Sequence, residues 1–321
     1  MRNLIKKGIA LAVILMVFTG CTGKAAADDN VNIRVGSLKG PTSIGIINMI
    51  HDGENSNYSF TMETQPDVLL AGMVSGDLDI ALVPANVASV LYNKTGGGIS
   101  VIDINTLGVL YMVSGDASIK GMNDLEGRTV YTTGAGSTPE YVLRYLLKAN
   151  GLEDKVNIEF KSEATEVVST ILQDTSSVGL LPQPFVIAAL SQNDSLSIVL
   201  DTTKEWDALE NGSKLVTGVT VARNEFIEEH PQAVASFLKD HASSADFVNS
   251  DTKTAAEYVA EAGIIEKAPV AEKAIPFCNI VCIEGSDMKS ALSGYLSVLY
   301  EQDPKSVGGA LPGDDFYYSA K

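Results

Sequence analysis

The residues with the most chemical reach are small, polar or basic ones placed just after short apolar runs. Lys39-Gly40-Pro41-Thr42-Ser43, Gln65-Pro66-Asp67, Pro84-Ala85-Asn86, Gly134-Ala135-Gly136-Ser137-Thr138 and Gln183-Pro184-Phe185 all hold this position. Glycine at 40, 134 and 136 lets backbone approach a ligand closely. The hydroxyls of Thr42, Ser43, Ser137 and Thr138 can donate hydrogen bonds, and Lys39 suits an anionic group. Each has a plainer use as well: Thr42 and Thr138 as helix caps, Pro84 and Pro184 as strand ends, Lys39 as a solvated loop residue. Gly134-Ala135-Gly136-Ser137 is neither a Gly-x-Ser-x-Gly elbow nor a phosphate loop, since no Lys-Ser/Thr pair ends it. No catalytic residue and no cofactor are expected.

The other reactive side chains are scattered. His51 ends a helical pattern, His230 precedes Pro231, and His241 is expected on a helix surface. Cys278 and Cys282 would need two more soft ligands for zinc, and no histidine stands at ligand spacing to them in the chain, so no metal site is expected. In an extended segment the two sulfurs share a face about 13 Å apart. That leaves free thiols, or a disulfide if a turn intervenes. Glu163 and Glu166, just past a run ending at Phe160, would call for an amine or hydroxyls on a ligand; alternatively they, like Glu140 and Asp67, favour helix N-termini. Tyr111, Tyr131, Tyr141 and Phe185 could stack on a ring or fill a core.

The elements that must carry these loops alternate. Val31 to Gly36, Tyr58 to Glu63 and Leu78 to Val83 read as strands, each followed by a break and a helix. Three such units in under 65 residues imply a parallel or mostly parallel sheet. Ile99 to Asn105 and Gly108 to Val113 follow as strands, and the rhythm restarts at Val130 to Thr133. There Thr138 is expected as N-cap with Pro139 at the first helical position, and the helix stops at Asn150-Gly151. Val156 to Phe160 and Val178 to Leu181 continue the second series. Leu215 to Ala222 reads as a strand crossing back, before a helix over Pro231 to Phe247. The reading is therefore α/β with two lobes: residues 31–113 plus 214–321 form the first, and 114–213 an inserted second. Two crossings make a hinge. In open α/β sheets, ligands sit beyond the carboxyl ends of the strands, among helix N-termini, which suits an oxyanion or carboxylate.

The N-terminus carries an address. Arg2, Lys6 and Lys7 precede an apolar run from Ile9 to Phe18, the pattern of a secretory signal too short for a bilayer-spanning helix. Phe18-Thr19-Gly20-Cys21 resembles the lipobox of bacterial lipoproteins. The expectation is a signal over 1–20, lipidation at Cys21 and a flexible stalk over 21–30, hence an extracytoplasmic, lipid-anchored (palmitate-bearing) protein. Without the three signal cations, 20 of the 23 basic residues remain against 40 acidic ones, a net charge of about −20 that makes nucleic acid a poor partner.

Val-Gly-Ser-Leu-Lys-Gly-Pro-Thr at 35 to 42, Gly76-Asp77-Leu78-Asp79-Ile80-Ala81 before Pro84-Ala85-Asn86, Asp124-Leu125-Glu126-Gly127-Arg128-Thr129-Val130, and Glu229-His230-Pro231-Gln232-Ala233-Val234 with Phe237-Leu238 stand in an order that resembles the type II solute-binding proteins of ABC importers. Within these the chain is most similar to the nitrate, aliphatic sulfonate, taurine and thiamine-precursor group. The resemblance covers nearly the whole mature chain. It implies a two-lobe periplasmic-binding-protein fold and capture of a small polar, anionic or zwitterionic solute in the cleft. Delivery to a permease and its ATPase would follow, with a monomer closing its own cleft. The ligand set expected on this basis is Lys39, Gly40, Pro41, Thr42, Ser43, Gln65, Pro84, Asn86, Gly134, Gly136, Ser137, Thr138, Glu163, Gln183 and Pro184. A sensor that presents bound solute to a membrane receptor is the alternative. A two-lobe enzyme is a third class, disfavoured by the missing catalytic constellation. Leu311 to Tyr318 reads as an intramolecular strap or an interaction patch.

Overall fold

The computed structural model describes residues 31–53 and 57–319; the expected signal, the stalk and Cys21 lie outside them. Eleven strands are present among the described residues: β1 Ile33–Leu38, β2 Tyr58–Glu63, β3 Ile80–Pro84, β4 Ile99–Leu107, β5 Leu110–Ser114, β6 Thr129–Thr132, β7 Asn157–Phe160, β8 Val178–Pro182, β9 Ser197–Asp201, β10 Val216–Arg223 and β11 Ile280–Ile283. They form two sheets, ordered β11-β4-β10-β3-β1-β2 and β7-β6-β8-β5-β9. Leaving aside the edge strand β11, both sheets have one plan. The first three strands of a series pair in the order second, first, third, then comes the strand that has just crossed from the other lobe, then the fourth. The crossing strands β10 and β5 run antiparallel to both neighbours, while the four strands of each series run the same way. This is the type II periplasmic-binding-protein fold.

Burial explains the strand sequences. β3 is an unbroken apolar run because helices cover both faces of the sheet, whereas the edge strand β7 alternates exposed and half-buried residues. Helix Pro66–Ser75 ends at Gly76, whose φ of 79° is the left-handed stop that glycine supplies without strain. Helix Gly285–Gln302 packs Met288, Leu292, Tyr295, Leu296 and Leu299 into a core that continues into the second lobe through Trp206. Trp206 is fully buried against Tyr145 and Tyr295, and its indole N–H donates to Ser213 Oγ at 3.0 Å. The C-terminal segment is an intramolecular strap. Phe316 is fully buried, Tyr318 N–H donates to Val101 O at 2.9 Å, and Ser100 Oγ donates to Asp315 O at 2.8 Å.

Several details differ from the sequence reading. Leu110–Ser114 belongs to the second sheet, paired with β8 and β9, so the first crossing is Gly108-Val109 and not residue 114. An apolar strand reads alike whichever sheet receives it. Ser197–Asp201 is a strand that its short Ser-Ile-Val-Leu-Asp pattern did not announce. The residue before helix Thr138–Ala149 is Ser137, extended, with Thr138 as the first helical residue. His241 is completely buried, not on a helix surface, because its helix Pro231–Ser250 turns that face onto the first sheet. Cys278 and Cys282 are free thiols; Cys278 is buried and donates to Ala274 O at 3.3 Å.

Candidate functional site

Strand register locates the cleft. β4 ends at Leu107, level with Thr106 and Gly218 beside Pro84, the carboxyl end of β3. Two residues later β5 starts at Leu110, opposite Pro182, the carboxyl end of β8, and Tyr111 stands opposite Asp201, the end of β9. A two-residue link therefore holds the carboxyl ends of both sheets against each other, and the loops leaving those ends line one cleft. The link is secured from the first lobe: Asn279 Nδ2 donates to Gly108 O at 2.5 Å, and Tyr111 hydroxyl donates to Phe277 O at 2.9 Å. Burial, with Asp201 and Cys278 adding to it, pushes the Tyr111 hydroxyl well above its ordinary value. Tyr111 is thus a hinge and core residue, not a ring-stacking surface.

In the first lobe, Lys39 is exposed at the head of the loop after β1, with its backbone N–H on Glu63 O at 2.8 Å. Gly40 has φ 141° and open space where a Cβ would stand, so its contribution is a backbone conformation that L side chains avoid. Thr42 and Ser43 are buried, and both hydroxyls donate back to Leu38 O, Thr42 at 3.1 Å; Ser43 Oγ also donates to Ser37 Oγ at 2.8 Å. Their chemistry closes the loop from within. Gln65 is exposed at the N-cap of helix Pro66–Ser75, and Pro84 caps helix Ala85–Thr95. Asn86 is turned to the C-terminal strap, donating to Ser306 O at 3.3 Å.

In the second lobe, Ser137 Oγ donates to Gly134 O at 2.7 Å, and Gly136 N–H donates to Glu140 Oε2 at 2.6 Å, so this loop also holds itself. Against the opposing pull of burial, Gly136 N–H and the Arg144 guanidinium keep the Glu140 carboxyl below its ordinary value. Thr138 stands near the buried Tyr295 hydroxyl of helix Gly285–Gln302, and burial pushes that hydroxyl well up. Glu166 accepts from Ser162 N–H at 3.0 Å, and Glu163 is exposed at the N-cap of helix Ala164–Gln173. Glu140 and Glu166 therefore serve their own helix starts. Pro184, joined to Gln183 by a cis peptide bond, precedes helix Phe185–Leu190.

Gln183 differs from the rest. It follows directly on β8 at the hinge, with its backbone N–H on Val109 O at 3.2 Å, and is 3% exposed. Neither its amide nitrogen nor its amide oxygen has a partner among the described residues. Most buried side-chain polar atoms are bonded, so this amide, like Thr203 Oγ1 and His241 Nε2, stands out among the described residues. Around it, among the described residues, the N-cap residues Gly40, Gln65, Pro84, Ser137, Glu163 and Pro184 give no side-chain cap to their helices. Asp201 and Asp251 do cap theirs. The helix starts at Ile46, Arg223, His230, Lys267 and Glu284 lack side-chain caps as well, so what the loops at the strand ends share is a positive dipole end. One cation lay outside the sequence-derived set: Lys161, directly after β7. Its Nζ pairs with Glu159 at 2.6 Å and lies 5.1 Å from the Tyr131 ring centroid. Its position right after Phe160, at a strand's carboxyl end, was the available signal.

Two lobes of one plan, joined by a short link with helix starts at their strand ends, make an arrangement suited to holding a small ligand. Residues 98–255 match the NMT1/THI5-like family model. The chain is similar to the crystal structure of an ABC transporter from Parabacteroides distasonis, at 25% identity and TM-score 0.77 over 91% of this chain and 100% of that one. It is also similar to the periplasmic aliphatic sulphonate binding protein of Escherichia coli, with TM-score 0.71 over 90% of this chain and 92% of that one. At 15% identity, the second likeness speaks for the fold. No curated protein sequence matches.

Proposed function

We propose that this protein is an extracytoplasmic lipoprotein, anchored through Cys21, that captures a small anionic or zwitterionic solute between its lobes and delivers it to an ABC permease and its ATPase. The ligand class is that of sulfonates, taurine, nitrate-like oxyanions or a pyrimidine thiamine precursor. The observation that carries the reading is the buried, unpartnered Gln183 amide on a cleft floor ringed by uncapped helix starts. An amide offers one donor and one acceptor side, and uncapped N-termini favour negative charge. A head group with oxygens for the N–H groups and a polar substituent for the amide fits both. Lys39 and Lys161, one from each lobe, supply positive charge near opposite rims.

A thermal-shift screen across these four classes tests the reading, because a ligand at a hundredfold excess over Kd stabilises by about 2.7 kcal/mol. Stabilisation by at least one anionic or zwitterionic member is expected. Stabilisation only by cations or neutral sugars would overturn the ligand class.

A further inference from the structure

We propose that the first lobe holds a divalent metal site of the zinc type, built from Asp103 on β4, His241 on helix Pro231–Ser250 and Cys282 on β11, with Glu284 beside them as fourth donor. These residues are far apart in the chain, yet Asp103 Oδ2 lies 3.0 Å from His241 Nδ1 and Cys282 Sγ lies 3.9 Å from the same nitrogen. One ligand atom from each of the three lies within 4.8 Å of the other two. Glu284 Oε1 is 4.0 Å from the Cys282 sulfur, on the side open to solvent. Zinc binds sulfur at about 2.3 Å, imidazole nitrogen at about 2.0–2.1 Å and carboxylate oxygen at about 2.0–2.2 Å in tetrahedral sites, so donors at these separations need only small shifts to share one ion. Mixed sulfur, nitrogen and oxygen donors suit zinc better than magnesium or calcium, which take oxygen alone.

The surroundings resemble a second layer that orients metal ligands. Thr220 hydroxyl donates to Asp103 Oδ1 at 2.8 Å, which leaves Oδ2 toward the histidine, and Asn105 Nδ2 donates to Thr220 Oγ1 at 3.1 Å. Asp103, Asn105, Thr220 and His241 are all completely buried. A buried histidine and carboxylate meeting a half-buried thiol is a costly grouping to maintain for stability alone. The site lies beneath the cleft's first wall: a Cβ at Gly45, just past helix Pro41–Ile44, would stand 3.3 Å from His241 Nε2. A thiol joins a metal as the thiolate, so ion binding at Cys282 would release its proton to solvent.

The test is titration of Zn2+ alone, and of Co2+ as a spectroscopic stand-in, into the metal-stripped, reduced full chain. One equivalent is expected to bind, with a near-ultraviolet thiolate-to-cobalt band and tetrahedral visible absorption. Cys282→Ser should abolish the band and Cys278→Ser should keep it. Thr220→Val should weaken binding by about 10–100-fold. His241→Asn should lose binding, and if it fails to fold, the half-buried Cys282→Ser carries the comparison. Absence of one-to-one binding in the intact chain, or a band that survives Cys282→Ser, would overturn the site. The outcome is independent of which solute the cleft takes.

Discussion

Replacing Gln183 by Met keeps the side chain's length and removes its polar atoms, so stability and affinity should move in opposite directions. The amide is 3% exposed, with both polar atoms unsatisfied among the described residues. A buried unsatisfied group costs about 1–3 kcal/mol, and an apolar isostere removes that cost. The ligand-free Gln183→Met protein should be more stable than the parent by up to this amount. At about 2–4 °C per kcal/mol for a chain of this size, a rise of several degrees in Tm is expected. In the complex the reverse holds: a hydrogen bond to a charged group is worth about 1.5–3 kcal/mol, which is about ten- to hundredfold in Kd. Denaturation of the ligand-free protein and calorimetric titration with the best ligand from the screen measure the two halves. If Gln183→Met lowers Tm and leaves Kd unchanged, the amide has a structural partner and the cleft-floor reasoning is wrong.

Lys39→Ala should weaken binding of an anionic ligand severalfold while ligand-free stability changes by less than about 0.5 kcal/mol, since the residue is exposed; titration at two salt concentrations checks it, with the parent showing the steeper salt dependence. Asp79 is buried and receives Arg34 N–H at 3.0 Å, Arg34 Nε at 2.9 Å and Arg223 Nη2 at 3.0 Å. Although burial pulls its carboxyl upward, these partners hold it below its ordinary value of 3.8. The folded value is depressed, so its contribution is fully present above about pH 4 and is lost as pH falls through the folded value. Asp79→Asn should cost about 1–3 kcal/mol at neutral pH, since Arg34 remains solvated when its partner is lost, and flatten the acid limb of a stability–pH curve. Cys21→Ser should leave the protein unprocessed or released, seen by membrane fractionation, with ligand affinity of the body unchanged.

The sequence showed the repeating strand-loop-helix pattern because apolar runs and their breakers are local signals. It placed Gly40 and Gly136 in loops for the same reason, and both have positive φ. What it could not show depends on register. That Thr42, Ser43 and Ser137 spend their hydroxyls on neighbouring carbonyls follows from backbone geometry a few residues away, which residue type leaves open. That Gly108-Val109 is the crossing depends on which sheet accepts β5. The meeting of His241 with Asp103 and Cys282 required a helix, a central strand and an edge strand to pack in one arrangement. The cysteine spacing alone pointed away from it. Gln183 was visible as a loop residue, but its distinction, burial without partners, belongs to the fold.

The hinge brings these observations into one account. Gly108-Val109 joins the lobes, and its neighbours are packed tightly: a Cβ on Gly108 would collide with Thr203 Oγ1 and stand 2.8 Å from Leu215 Cδ2. On the proposed binding role, closure would be a rotation about a link too crowded to stretch, and Val109 O, which receives the Gln183 N–H, lies on that link. A solute bonded to the Gln183 side chain, as proposed, would be held by the strand end of the second lobe, while Gly40 and Lys39 belong to the first. Contacts to both at once exist only when the lobes approach, so the free energy of the second set shifts the population toward the closed form. The segment that clamps the link, Phe277 to Asn279, leads directly into β11 and Cys282. An ion bound at Cys282 would therefore stiffen the first-lobe anchor of the hinge.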